Sequence, residues 1–147
     1  MRTLRRKIWQ RALWWRFRLF QRHRHDRLVL ERVGGRPLLI WPGVMNPVLF
    51  RTGPVLAQHL EEHPVTAGTA VLDLGTGSGL LAVVAAEQGA EVVAVDINPE
   101  AVRCARINAL LNRVETRVDV RHGDLFGPLA GEEKLSLIHI SEPTRPY

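Results

Sequence analysis

The sequence predicts a parallel, doubly wound α/β sheet, and three observations carry that expectation. From Thr69 onward, short apolar strand-like segments alternate with helical ones. Glu91–Asp96 contains an unbroken Val-Val-Ala-Val run, the composition of a strand covered on both faces. A glycine-rich turn, "DLGTGSG", joins the first of these strands to the helix after it.

The elements follow in order. "MRTLRRKIWQRALWWRFRLFQRHRHDR" lacks Gly and Pro and is rich in Arg and Leu, which predicts a basic amphipathic helix within residues 1–27, over about Thr3–Gln21. Its partner is the chain's own domain, RNA or an anionic membrane surface. Residues 28–45 read as a β-hairpin and linker, because Gly34-Gly35 separates two apolar runs. Pro42-Gly43 and Asn46-Pro47 interrupt the chain next. "TGPVLAQHL" predicts a helix from Thr52 that ends before His63-Pro64, since a residue preceding proline avoids helical geometry. Then come a strand over Ala70–Leu74, a helix over Leu80–Gln88 stopped by Gly89, and the strand Glu91–Asp96. A helix over Pro99–Leu111 has proline in its first turn. The alternation of Val114, Thr116, Val118 and Val120 predicts a third strand over Val114–Arg121.

Composition narrows the class. The chain of 147 residues is 46% hydrophobic and 24% charged, a globular profile sized for one domain. Cys104 is the single cysteine, so no internal disulfide or cysteine-only zinc site exists, and a bystander thiol is expected. His23 and His25 do not face each other on a helix, and no metal site is expected. No apolar run suggests a transmembrane helix or a secretory signal, so a cytoplasmic protein is expected. The net charge of +5 is uneven. Residues 1–36 hold 12 Lys+Arg against 2 acids, and residues 37–147 hold 8 against 13. The basic arm therefore expects an acidic partner.

The glycine turn carries the chemistry. Asp73, Gly75, Gly77 and Gly79 read D-x-G-x-G-x-G, whereas a nicotinamide-dinucleotide turn needs G-x-G-x-x-G and would want glycine where Leu80 stands. Asp73 also repels a pyrophosphate. A ligand with a positive end and no phosphate suits it, and S-adenosylmethionine has a sulfonium, an ammonium and a carboxylate. Asp73 would lie near the ammonium, and the backbone around Gly75, Thr76 and Gly77 near the amino-acid portion. Asp96, ending the second strand and followed by Ile97, can accept both ribose hydroxyls. In "GDLF", Asp124 can accept the adenine amino group and Leu125 can pack on the ring. Asn98 suits either the adenosine edge or a helix cap, and Asn108 and Asn112 are expected to serve local structure.

With these residues in view, residues 69–126 resemble the N-terminal half of class I S-adenosylmethionine-dependent methyltransferases. "PGVMNPVLFRTGPVLAQHL", "INPEAVRCARINALLN" and "GDLFGPL" resemble the small-domain members that methylate release-factor glutamines, and their rRNA-modifying relatives. The resemblance implies a Rossmann-like sheet, of which residues 46–134 would be the N-terminal part, with Phe50 and Thr52 near the cofactor. It implies N-methylation of a protein glutamine (in a release factor or ribosomal protein) or of an RNA base. The N-P-P-Y loop that orients the acceptor nitrogen in that group does not occur here, so no catalytic residue is assigned and the chain is expected to be inactive. The alternative is a non-catalytic Rossmann-like module bearing an RNA- or membrane-binding helix.

Leu135 to Arg145, "LSLIHISEPTR", resemble one translation frame of a transposon-end adaptor used in DNA library preparation. Residues 135–147 are therefore expected to be a non-native tail. Its alternating start could still pair beside the first strand of the sheet.

Overall fold

The computed structural model describes residues 27–129 and the backbone of Ser136–Ile140; the expected basic helix, with His23 and His25, lies outside the described residues. Two strands open the described chain, β1 (Val29–Val33) and β2 (Arg36–Ile40). They form the expected hairpin, with Val33 opposite Arg36 and with Gly34 and Gly35 at φ 56° and 82°. Positive φ at both loop residues is what a tight, twist-matched hairpin turn requires.

After α1 (Thr52–Glu62), the chain runs β3 (Ala70–Leu74), α2 (Leu80–Glu87), β4 (Glu91–Asp96), α3 (Pro99–Leu111) and β5 (Val118–His122). A short 3-10 turn spans Gly127–Leu129, and β6 covers Ser136–Ile140. The sheet order is β5-β4-β3-β6 with every pair parallel. β6 occupies the slot beside β3 that its alternation suits, and the pairing register shifts between Leu72 and Asp73.

The layers follow from composition. α2 is apolar all round, and Leu80 through Ala86 are buried, because it is packed on two sides. Toward the sheet, Val83 and Ala86 join Val71, Val92, Val118 and Val120, together with Val102, Ala105 and Ala109 of α3. Away from the sheet, Leu80, Leu81 and Val84 meet Leu38 and Ile40 of the hairpin, Ala57 of α1 and Cys104 of α3. The hairpin is thus a third layer over the helices. Arg36 pins it, bonding Glu61 of α1 and Glu87 of α2, each at 2.5 Å. Burial opposes the charge on Arg36, but the bonds to Glu61 and Glu87 outweigh it and its pKa rises.

One expected boundary is corrected. The third strand begins at Val118, not Val114, because α3 closes with a Schellman cap. The amide of Val114 reaches back to the Ala109 carbonyl at 3.0 Å, and that of Arg113 to Leu110 at 3.1 Å. Val114 is buried as the apolar residue following that cap, so its place in the alternation is coincidental. α2 ends in the same motif, with Ala90 bonding Ala85 and Gly89 in the left-handed position at φ 90°. In α3 that position is Arg113 at φ 60°, where a Cβ is strained. Arg113→Gly should therefore stabilise the chain by about 0.5–1 kcal/mol, read as a higher urea midpoint at unchanged m. A lower midpoint would contradict the cap assignment.

Candidate functional site

The C-terminal ends of β3, β4 and β5 converge, as a parallel sheet with right-handed crossovers requires. β3 delivers Asp73, which is 1% exposed, into the turn. The Thr76 hydroxyl donates to Asp73 Oδ2 at 2.7 Å and folds the turn back over its own strand. Gly75, Gly77 and Gly79 all have positive φ, between 55° and 80°. Their roles differ. A Cβ on Gly79 would lie 2.9 Å from the Cα of Ala105, so this glycine lets α2 approach α3. A Cβ on Gly77 would meet nothing closer than the Gly75 carbonyl at 3.9 Å, so this glycine keeps the mouth of the turn open.

Four of the turn's amides are engaged. Gly75 and Thr76 both donate to the Val95 carbonyl, at 2.8 and 3.0 Å, and Gly79 donates to Thr76 at 2.8 Å. The Gly77 amide donates to Asp96 Oδ2 at 2.8 Å. The nest that cradles phosphates elsewhere is turned toward β4. The rim of the turn therefore presents the Gly77 surface and the half-buried Asp96 carboxylate, with Asp73 buried beneath.

Asp96 is the best-held polar group of the site. Its Oδ1 accepts from the Asn98 amide at 2.9 Å while Oδ2 holds Gly77. Each oxygen retains a second lone pair, so the half-buried carboxylate can receive a vicinal diol without moving. Asn98 resolves as the cap of α3, accepting from the Glu100 amide at 3.0 Å. Ile97 is 51% exposed, and its carbonyl lies 2.9 Å from His122 Nε2. Gly123 donates to the Asp96 carbonyl at 3.0 Å and thereby ties the loop after β5 to the same rim. A Cβ on Gly123 would collide with the Pro128 ring, so that loop requires glycine. Asp124 is exposed, and Leu125, also exposed, takes φ 44°, a strained value for a branched side chain. Such strain gathers at ligand rims.

The entry to α1 completes the surroundings. Thr52 is exposed and Phe50 half-buried. A Cβ on Gly53 would be 3.4 Å from Pro47 and 3.6 Å from Leu80, so this segment lies against the start of α2, next to the glycine turn.

Residues 52–138 match the family model described as "Ribosomal protein L11 methyltransferase (PrmA)", which covers more than half of the chain. The chain belongs to the ribosomal protein L11 methyltransferase family. That family is one of class I, S-adenosylmethionine-dependent methyltransferases, and the match does not extend to the glutamine-modifying group that the motifs resemble. Among curated members, the L11 methyltransferase of Symbiobacterium thermophilum is 43% identical over 108 residues, 73% of this chain and 35% of that protein. The Desulfitobacterium hafniense enzyme is 44% identical over 79 residues, 54% of this chain and 25% of that protein. The chain thus spans about a third or less of these L11 methyltransferases. The fold also recurs in Pyrococcus abyssi tRNA (uracil-54, C5)-methyltransferase, solved with S-adenosyl-L-homocysteine. That structure has a TM-score of 0.55 and 24% identity, and the match covers 66% of this chain and 24% of that one.

The residues present fit the family's methyl donor: two carboxylates, an open glycine surface and inward-turned amides suit a cationic nucleoside without phosphate. What the sequence did not reveal is the support beneath them. Asn108 is fully buried; its Oδ1 accepts from the Leu39 amide at 2.7 Å. Its Nδ2 donates to the carbonyls of Leu39 at 2.9 Å and Ser78 at 2.8 Å. Asn112 donates to Pro37 at 2.9 Å. Both asparagines serve structure, as expected, but beyond their own helix: they bind the outer edge of β2, and Asn108 also braces the glycine turn. Four residues of helix rise about 6 Å, close to two residues of strand, which lets positions 108 and 112 meet 39 and 37. The available signal was a polar residue on the apolar stripe Ala101, Cys104, Ala105 and Ala109. Cys104 is the expected bystander: burial pushes its thiol pKa up, against hydrogen bonds from Trp41 and Asn108.

Proposed function

We propose that this chain is the cofactor-binding part of a methyltransferase acting on a ribosomal protein. S-adenosylmethionine supplies the methyl group; every other task falls to the chain's own residues. Asp96, fastened by Gly77 and Asn98, is the observation that carries the reading. It orients the ribose, with Ile97, Asp124 and Leu125 lining the adenine side. Asp73, held by the Thr76 hydroxyl, places negative charge under the turn for the amino-acid end, and Phe50 and Thr52 close over it. Protein L11 is the acceptor named for the relatives, and this reading favours it over the release-factor glutamine or RNA base that the motif resemblance suggested. The basic arm of residues 1–27 supports reaching a ribosomal surface rather than a membrane, through phosphate contacts. A ribosomal target goes with a cytoplasmic setting. No helix among the described residues is long and apolar enough to cross a membrane.

Calorimetry tests the reading. S-adenosylhomocysteine should bind the chain one to one, and nicotinamide dinucleotide should give no heat. The reverse order would overturn it. We also read residues 135–147 as non-native. Sequencing the gene past codon 134 should recover a different continuation, whereas the same codons read from genomic DNA would refute that.

A further inference from the structure

The C-terminal end of α1 carries "HLEEH", His59 to His63, a stretch that the methyltransferase reading does not use. Spacings of three and four residues put His59, Glu62 and His63 on one side of the helix end. One ligand atom from each lies within 4.8 Å of the other two, and all three residues are exposed. The two imidazole rings stand 4.4 Å apart, tilted by 34°.

We propose that these three side chains form a divalent transition-metal site of the zinc type, although no metal was expected from the sequence. Two nitrogens and one carboxylate oxygen are the donor set zinc takes, with a fourth position left to water. The orientation of His63 supports this. Its Nδ1 lies 3.2 Å from the His59 carbonyl. A carbonyl only accepts, so Nδ1 carries the proton and the Nε2 lone pair is left for a metal. Metal-ligating histidines are commonly fixed by such a bond. Glu62 is steadied by Gln58, whose Nε2 donates to Oε1 at 2.9 Å. The last carbonyls of a helix attract a cation as well. Glu61 is committed to Arg36 and stands outside the set. A tetrahedral site needs the donors roughly 3.4 Å apart, against the 4.8 Å within which they already lie.

The site would clip the end of α1 to the segment that follows, where Gln88, capping α2, already bonds the Leu60 carbonyl and the Val65 amide at 2.9 Å each. A ligand that binds only the folded chain raises its melting temperature. Titrating the whole chain with zinc chloride at about pH 7.5 should give one-to-one binding in the micromolar range and a rise in Tm. His59→Gln and His63→Gln should each weaken binding by about tenfold or more and abolish the Tm rise. The double variant His23→Gln/His25→Gln should behave as the parent. Absence of binding, retention of affinity in either α1 variant, or loss in the arm variant would each overturn the proposal.

Discussion

Replacing Asn108 with leucine should destabilise the chain by about 3 kcal/mol, the largest effect expected of any single side chain here. The volume is nearly conserved, so the loss is polar. The Leu39 amide and the Ser78 carbonyl would lose the partner that Asn108 provides, at about 1–3 kcal/mol each, while the Leu39 carbonyl keeps Cys104 Sγ at 3.0 Å. Asn112 cannot substitute, because its amide is already given to the Pro37 and Asn108 carbonyls. Urea unfolding measures the total, and amide exchange at Leu39 localises it. An unchanged midpoint would mean that water satisfies the β2 edge and that the hairpin is not held by α3.

The second large effect concerns Asp96. Asp96→Ala should weaken S-adenosylhomocysteine binding by about 1–3 kcal/mol, the value of hydrogen bonds to a charged acceptor. Asp96→Asn is expected to rescue little. Both carboxylate oxygens accept from backbone amides, so one face of any asparagine would oppose an N–H with its own NH2. A ribose contact alone would tolerate asparagine much better, because an amide can donate to one hydroxyl while accepting from the other. Calorimetry across the pair therefore distinguishes an acid that only touches ligand from one that also holds the turn. Near-parent affinity in the asparagine variant would remove the strap from the explanation.

Much of the sheet was legible in the sequence because its signals are local. The Val-Val-Ala-Val run, the Gly34-Gly35 loop, the Gly89 stop and the Pro99 start each specify backbone geometry within a few residues. The alternation from Val114 misled, since burial of that valine comes from a helix cap and not from a strand. The proposed cofactor positions Asp73, Asp96 and Asp124 were also accessible, because acids at strand ends beside a glycine turn form a linear pattern.

By itself, then, the sequence determined the order of elements, the parallel sheet and the carboxylates at its rim, all consequences of short-range backbone preference and hydrophobic period. Only the tertiary structure decided which polar groups are joined: Asp96 to the turn 19 residues earlier, Asn108 to a hairpin 69 residues away, and the amides of Gly75, Thr76 and Gly77 to β4. A buried polar group must find a partner, but sequence distance does not say which one. That choice is made when the layers close and each desolvated donor takes the acceptor within reach.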